Sequence, residues 1–190
     1  SQRDVYGGLI FNSFQALSPE ICAPYDENRS GVNLGEACAV AFVSKEESDI
    51  EIMGGASSND ANHISGPSRD GSGLSLAIQK AMKQSKVSTF DLINAHGTAT
   101  NFNDEMECQA FNSLGFEKVP LNSLKGYFGH TLGAAGLIET ILCAEMMKRN
   151  IGFKSLGMKT LGLTKPLNVL QANKKFKINV ILKTASGFGG

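Results

Sequence analysis

The sequence predicts an α/β protein in which a mixed sheet is flanked by helices. Short apolar runs typical of buried strands alternate with longer stretches at helical spacing, which favours a layered α/β domain. The chain has 190 residues, of which 42% are hydrophobic and 19% are charged, a composition typical of a globular core. No internal repeat or linker divides residues 1–190, so we expect a single domain.

The first part of the chain predicts two strands. Residues 6–17 are apolar with helical or mixed spacing and end before a proline. Residues 37–43 form a nearly continuous apolar run, which is typical of a strand covered on both faces, and residues 50–56 predict a second strand. The charged segment 45–49 lies between them, so we expect a hairpin-like pair.

The next element is an amphipathic helix. Leu74, Ile78 and Met82 recur at helical spacing, so they would share one buried face. Ser72 precedes them as a possible N-cap, and the pattern ends near Lys86.

Alternation of strand and helix continues through the middle of the chain. Residues 92–95 predict a short strand. We then expect a helix that Asn103 caps and Gly115 ends, because these residue types favour the two helix termini. Residues 119–123 predict the following strand.

Two elements complete the prediction. Residues 134–149 predict a third helix with basic residues at its C-terminus. Residues 176–184 predict a final strand, because their apolar side chains alternate. The residues expected to be buried in the third helix are Leu137, Ile138, Ile141, Leu142 and Met146.

Charge and hydropathy exclude several classes of function. Lysine plus arginine and aspartate plus glutamate each total 18, so we expect no nucleic-acid or membrane partner. No apolar stretch is long enough to span a bilayer, and the polar residues 1–4 are unlike a signal peptide, so we expect a cytoplasmic protein. The absence of Walker and Gly-x-Ser-x-Gly motifs argues against nucleotide binding and serine hydrolysis.

The four cysteines do not indicate a metal site. Cys22, Cys38, Cys108 and Cys143 contain no Cys-x-x-Cys pair, so structural zinc fits poorly and we expect no metal. Cys38 and Cys143 lie in apolar runs, where a buried free thiol is the commoner arrangement.

Two histidines are the strongest candidates for chemistry. His96 and His130 each follow a short apolar run and have glycine neighbours, whereas His63 lies in a polar loop. Because the carboxyl ends of neighbouring strands meet at one edge of an α/β sheet, we expect His96 and His130 to converge there. Two imidazoles can polarise a carbonyl or stabilise an enolate.

Four further residues are candidates for the same site, each with a simpler alternative. Thr98 and Thr100 could bond an amide-bearing ligand arm or could only cap a turn. Lys125 could orient His130 or bind a carboxylate, or it could be a solvated surface charge. Glu107 could be a buried partner of Lys125 or an exposed helix residue.

Three motifs follow one another along the chain: His96-Gly97-Thr98-Ala99-Thr100, Lys125-x3-Gly129-His130-Thr131-Leu132-Gly133-Ala134-Ala135-Gly136 and Gly187-Phe188-Gly189-Gly190. In this order they resemble the C-terminal part of the β-ketoacyl-acyl carrier protein synthases. The resemblance implies a thiolase-like layered α/β/α fold, of which residues 1–190 would be the C-terminal domain. This domain would be incomplete at both ends, with residues 1–20 belonging to the N-terminal half.

The resemblance also implies a reaction. Enzymes of this family condense malonyl-acyl carrier protein with an acyl thioester in fatty acid or polyketide synthesis, with loss of CO2. His96 and His130 would help malonyl decarboxylate and would hold the enolate and thioester oxygens. Lys125 and Glu107 would be the supporting pair.

The implied substrate contacts involve no diffusible cofactor, because the carrier protein presents its substrate on a phosphopantetheine arm. Thr98 and Thr100 would contact that arm, and Phe188 would be the gating aromatic residue beside the acyl pocket. The implied partners are the acyl carrier protein, malonyl and acyl thioesters, the N-terminal half of the synthase and, at full length, a second copy.

The sequence departs from the family pattern at the nucleophile. The family's cysteine lies in a Thr-Ala-Cys-type segment that none of the four cysteines matches, so we expect this chain alone to be inactive. Asn103 stands where the family usually has Gly, and Ser186 stands where Phe is common. The alternatives are a non-catalytic synthase-like partner subunit and a malonyl decarboxylase; a metal hydrolase would lack a third ligand beside His96 and His130.

Overall fold

The computed structural model describes residues 16–63 and 66–187. Within these ranges, four helices, one 3-10 turn and five short strands follow one another along the chain. In order they are α1 (Ser72–Ser85), β1 (Leu92–Asn94), α2 (Asn101–Ser113), β2 (Leu121–Asn122), α3 (Lys125–Phe128), a 3-10 turn (Leu132–Ala134), α4 (Ala135–Arg149), β3 (Ile151–Gly152), β4 (Lys174–Lys175) and β5 (Ile181–Lys183).

A three-stranded parallel sheet occupies the centre of the fold. β1 lies between β2 and β5, so Asn94 pairs with Asn122 on one side and with Lys183 on the other. β3 and β4 form a separate antiparallel pair. Instead of the one mixed sheet that was predicted, the described residues form a parallel sheet and a separate two-stranded antiparallel sheet. Because β1, β2 and β5 run in one direction, their carboxyl ends share an edge where a site can form.

Helices cover both faces of the parallel sheet. Successive side chains of a strand point to opposite faces, so Leu92 and Ile93 belong to different layers. Ile93 packs in one core cluster with Ile78 of α1 and Phe111 of α2. Leu92 packs in a second cluster with Met146 of α4. The predicted layered α/β arrangement is confirmed.

The predicted strands at 37–43 and 50–56 are wrong. Neither segment forms a strand, and Val40 and Phe42 are 86% and 94% exposed. A strand needs a neighbour for its backbone hydrogen bonds, and no strand among the described residues pairs with either segment. Cys38 is consequently exposed rather than buried, whereas the expected burial of Cys143 is confirmed.

Several predicted boundaries shift. Thr100 is the N-cap of α2, so Asn103 lies inside the first turn of the helix and is buried there. The strand predicted at 176–184 is confined to β5. On α4, Leu137 is exposed although its apolarity predicted burial. The face of α4 that meets the sheet instead carries Ala135, Glu139, Cys143 and Met146.

Some expectations lie outside the described residues. This holds for the segment predicted at 6–17, apart from its last two positions, and for Phe188. None of the helices in the described ranges has the length and apolarity to cross a membrane.

Candidate active site

His96 and His130 meet at the carboxyl edge of the sheet. Their ring centroids are 5.0 Å apart, and the ring planes lie at 83° to each other. His96 follows β1 after one residue, and His130 follows α3 through Gly129. Gly129 has a φ of 74°, and a Cβ there would lie 2.8 Å from the Asn33 carbonyl oxygen. Glycine is needed at this position because only its backbone can adopt this conformation so close to another chain segment.

Hydrogen bonds fix the tautomer of each imidazole. The Leu132 amide donates to His130 Nδ1 at 3.1 Å. Lys125 Nζ lies 3.2 Å from His96 Nδ1, and an ammonium group can only donate. Nδ1 is therefore the acceptor in both neutral rings, so each ring carries its proton on Nε2. The pair presents two N–H donors to a ligand.

The partner of Lys125 is Glu139. Lys125 is fully buried, and its Nζ donates to Glu139 Oε1 at 2.7 Å and to the His96 carbonyl at 2.7 Å. The pairing of Lys125 with Glu107 that the sequence suggested is wrong, since the carboxylate of Glu107 receives other donors. Lys125 therefore links Glu139 to His96.

Glu107 shapes the backbone that carries His96. Its carboxylate accepts hydrogen bonds from the amides of His96 and Gly97, both at 2.8 Å, and from the Tyr25 hydroxyl at 2.9 Å. Asp104, one turn earlier on α2, accepts from the Thr98 amide at 3.0 Å. α2 thus directs two buried carboxylates at the loop that follows β1.

Burial controls the charge of these groups. It raises the pKa of Asp104 to about 7 and also raises the pKa of Glu107. Burial, followed by the Lys125 ammonium, lowers the pKa of His130 to about 4. The pKa of His96 falls well below its usual range for the same two reasons, so both imidazoles are neutral at pH 7.

Two residues near the histidines, Lys183 and Glu139, were not predicted from the sequence. Lys183, at the end of β5, places Nζ 2.6 Å from Glu139 Oε2. Glu139 could have been found from its spacing, because it lies four residues before Cys143 on the same buried face of α4. A carboxylate on such a face needs a cation or several hydrogen-bond donors as partners. No comparable sequence signal marks Lys183.

An open cavity leads to the histidines. Its volume is about 1720 Å³, and its lining includes His96, His130, Thr98 and Thr100. The hydroxyls of the two threonines lie 2.8 Å apart. Both threonines therefore line the cavity that leads to the histidines.

The three buried cysteines offer no activated thiol. Burial raises the pKa of Cys22 to about 11 and that of Cys143 to about 12, and it also raises the pKa of Cys108. A nucleophilic cysteine needs a lowered pKa, so these three thiols are inert. Across residues 16–63 and 66–187, no three His, Cys, Asp or Glu side chains come together as metal ligands.

The chain resembles proteins of one family throughout. The family model described as "Beta-ketoacyl synthase, C-terminal domain" matches residues 50–159. The 3-oxoacyl-[acyl-carrier-protein] synthase 2 of Rhizobium meliloti is 33% identical over 88% of this chain and 43% of its own length. The tetracenomycin polyketide synthase ketoacyl synthase alpha subunit of Streptomyces glaucescens is 35% identical over 88% of the chain and 42% of its length.

A solved structure agrees with these relatives. A ketosynthase in complex with its chain length factor, from Xenorhabdus doucetiae, superposes with a TM-score of 0.83 and 28% identity, over 95% of this chain and 46% of that one. The chain thus spans less than half the length of the proteins it matches. The thiolase-like fold expected from the motifs is confirmed. From its family match and its relatives, the chain belongs to the β-ketoacyl synthase family, whose C-terminal domain it contains.

Proposed function

We propose that the protein carrying this chain is a β-ketoacyl-acyl carrier protein synthase of fatty acid or polyketide synthesis. The observation that supports this most directly is the pair of neutral imidazoles, His96 and His130, each with its proton on Nε2. The Rhizobium meliloti relative is by its name a synthase that acts on the acyl carrier protein, which agrees with this proposal. The reactive cysteine would lie on a segment outside this sequence, so residues 1–190 alone would be inactive.

The two N–H donors suit the charge that develops in the reaction. When a malonyl thioester loses CO2, the bond to the carboxylate breaks and its electron pair forms an enolate. Nε2–H of His96 or His130 would donate to the enolate oxygen as it becomes negative. The enolate carbon then attacks the acyl thioester on the cysteine; a carbon–carbon bond forms, the carbon–sulfur bond breaks and the thiolate leaves.

The neutral state of the histidines is part of this proposal. An imidazolium would lose the Nδ1 acceptor that the Leu132 amide and Lys125 use, so the rings would turn away from their present positions. Lys125 and Glu139 would act as the supporting pair for His96. Glu107 would hold the backbone of His96 and Gly97 in place through its two amide hydrogen bonds.

The substrate would enter through the open cavity. Thr98 and Thr100 would contact the phosphopantetheine arm of an acyl carrier protein, and Phe188 would be the gating aromatic residue. Malonyl and acyl thioesters would be the substrates, without a diffusible cofactor. The remaining expectations, a homodimer at full length and a cytoplasmic location, belong to the same proposal.

A test is the release of CO2 from malonyl-acyl carrier protein by the full-length protein. His130→Ala removes one N–H donor to the enolate, so we expect the rate to fall about 10²- to 10³-fold. Thermal unfolding of the variant, compared with the unchanged protein, controls for misfolding. Unchanged CO2 release by a folded His130→Ala variant would refute the proposed role.

A second candidate is a synthase-like partner subunit without its own turnover. A family member solved together with a chain length factor favours it. Co-purification with an active synthase, together with no condensation by the full-length protein itself, would support this candidate. CO2 release without condensation would instead indicate a malonyl decarboxylase.

A further inference from the structure

Lys183 lies close to the site because of its place on β5. It pairs with Asn94 of β1, the residue two positions before His96. Side chains alternate along a strand, so Lys183 faces the same side as Ile181, which packs in the cluster beneath α4. This direction takes the lysine side chain, which is 15% exposed, toward Glu139.

Glu139 is therefore shared between two ammonium groups. Lys125 Nζ lies 2.7 Å from its Oε1, and Lys183 Nζ lies 2.6 Å from its Oε2. The second contact is an ion pair without the alignment of a hydrogen bond. One carboxylate balances one ammonium charge, so the three groups together carry one net positive charge. A site that needed only an orienting partner for Lys125 would not require the second lysine.

We propose that Lys183 is a positioning residue that holds the second oxygen of Glu139 and adds a second positive charge beside the two histidines. The inference rests on the proposed function, since the charge would keep the imidazoles neutral and favour an enolate oxygen at their Nε2 atoms. Lys183 acts through Glu139 and through its charge.

Other charged groups also face the histidines, from three more elements. Lys125 comes from α3, Glu139 from α4 and Glu107 from α2. Lys125 touches His96 directly and Glu107 binds its backbone, so changing either would move the ring as well as the charge. Lys183 can be changed with less disturbance. Burial and the Lys125 ammonium lower the pKa of both histidines most, and the nearby charge of Lys183 lowers it further. We therefore expect removal of that charge to raise the pKa of each ring.

The first experiment is the pH profile of CO2 release from malonyl-acyl carrier protein by the full-length protein. In Lys183→Met we expect the acid limb to move up by about one pH unit, which lowers the rate on that limb about tenfold. Lys183→Arg keeps the charge and should keep the limb within a few tenths of a pH unit. Lys177→Met is the matched control, because it removes an exposed lysine just before β5.

A second readout does not depend on catalysis. NMR titration of His96 and His130 in the same variants should show protonation at higher pH in Lys183→Met than in Lys177→Met. If the unchanged protein releases no CO2 but this difference appears, the proposed function fails and the charge effect of Lys183 stands. Equal titration of both histidines in the two variants would overturn the inference.

The remaining outcome is that Lys183→Met does not fold. Lys183→Gln retains polarity and serves as a second neutral variant if Lys183→Met unfolds. Unfolding of both neutral variants at pH 7 would assign Lys183 to the fold rather than to the site and would also overturn the inference. A folded Lys183→Gln variant with the shifted acid limb supports it.

Discussion

Two buried glutamates, one on each side of the sheet, use different partners. Glu139 on α4 meets two ammonium groups, Lys125 and Lys183, and we call this set the ammonium centre. Glu107 on α2 accepts from two backbone amides and the Tyr25 hydroxyl, and we call its set the amide centre. Both side chains are fully buried. The first centre can set charge beside the histidines, whereas the second sets the path of the backbone.

The amide centre explains the sharp turn after β1. Gly97 has a φ of 39°, and a Cβ there would lie 2.5 Å from the Ser123 side chain. The segment therefore passes very close to the loop after β2, and its amides turn toward α2. Removing a carboxylate oxygen from Glu107 would leave a buried amide without an acceptor, which costs free energy.

The largest expected effect is at the ammonium centre. Glu139→Gln leaves two ammonium groups without a counter-charge, and breaking such a buried pair costs about 3–5 kcal/mol of the free energy of unfolding. Urea unfolding measures this loss. Glu145→Gln is the matched control on the same helix, since Glu145 forms only surface ion pairs worth less than about 1 kcal/mol. Equal losses in the two variants would contradict the assignment of Glu139.

A smaller loss in the free energy of unfolding is expected at the amide centre. In Glu107→Gln one oxygen remains as an acceptor, but the new NH2 group faces an amide donor, so we expect a cost of about 1–3 kcal/mol. The backbone of His96 would shift, which should lower kcat for CO2 release more than it raises KM. Glu105→Gln, on the same helix near the surface, provides the comparison. A change in KM alone would argue against a role in positioning His96.

The comparison also shows what the sequence could predict. The two histidines and the alternation of β1, α2, β2, α4 and β5 follow from apolar runs and glycines, whereas α3, β3 and β4 were not predicted. The pairing of Lys125 could not follow from them, because it depends on which face of α4 meets the sheet. Leu137 suggested one face by its apolarity, whereas Glu139 lies on the face that is buried.

The segments at 37–43 and 50–56 show a different reason why the sequence alone did not predict the structure. Their apolar residues are as numerous as those of a buried strand, yet Val40 and Phe42 are exposed. A pattern within one segment indicates what could pair, but pairing depends on a second strand far away in sequence. Lys183 is a similar case, because its role depends on parallel pairing of β5 with β1, which spans most of the described chain.

Asp104, one turn before Glu107 on α2, gives a prediction on the pH dependence of stability. Its folded-state pKa is raised to about 7 from 3.8, first by burial and then by Glu107. The folded protein therefore holds more protons than the unfolded chain in this range, so the contribution of Asp104 is present below 3.8 and is lost as the pH rises toward 7.

Asp104→Asn should remove this dependence. The loss of stability between pH 4 and pH 7 should shrink by more than about 1 kcal/mol relative to the unchanged protein. Unfolding in urea at a series of pH values measures it. Because the variant also alters the acceptor for the Thr98 amide, the slope with pH is diagnostic and the absolute stability is not. An identical slope in both proteins would show that Asp104 is ionised throughout.

The smallest change is Tyr25→Phe. It removes one hydroxyl donor to Glu107, which keeps its two backbone amides, so we expect a cost of about 1 kcal/mol in urea unfolding. The substitution leaves every charge in place. The acid limb of the pH profile of CO2 release should therefore stay at the same pH in Tyr25→Phe, although it should shift in Lys183→Met. A shifted acid limb in Tyr25→Phe would mean that the amide centre also controls the charge of the histidines, and the distinction between the two centres would fail.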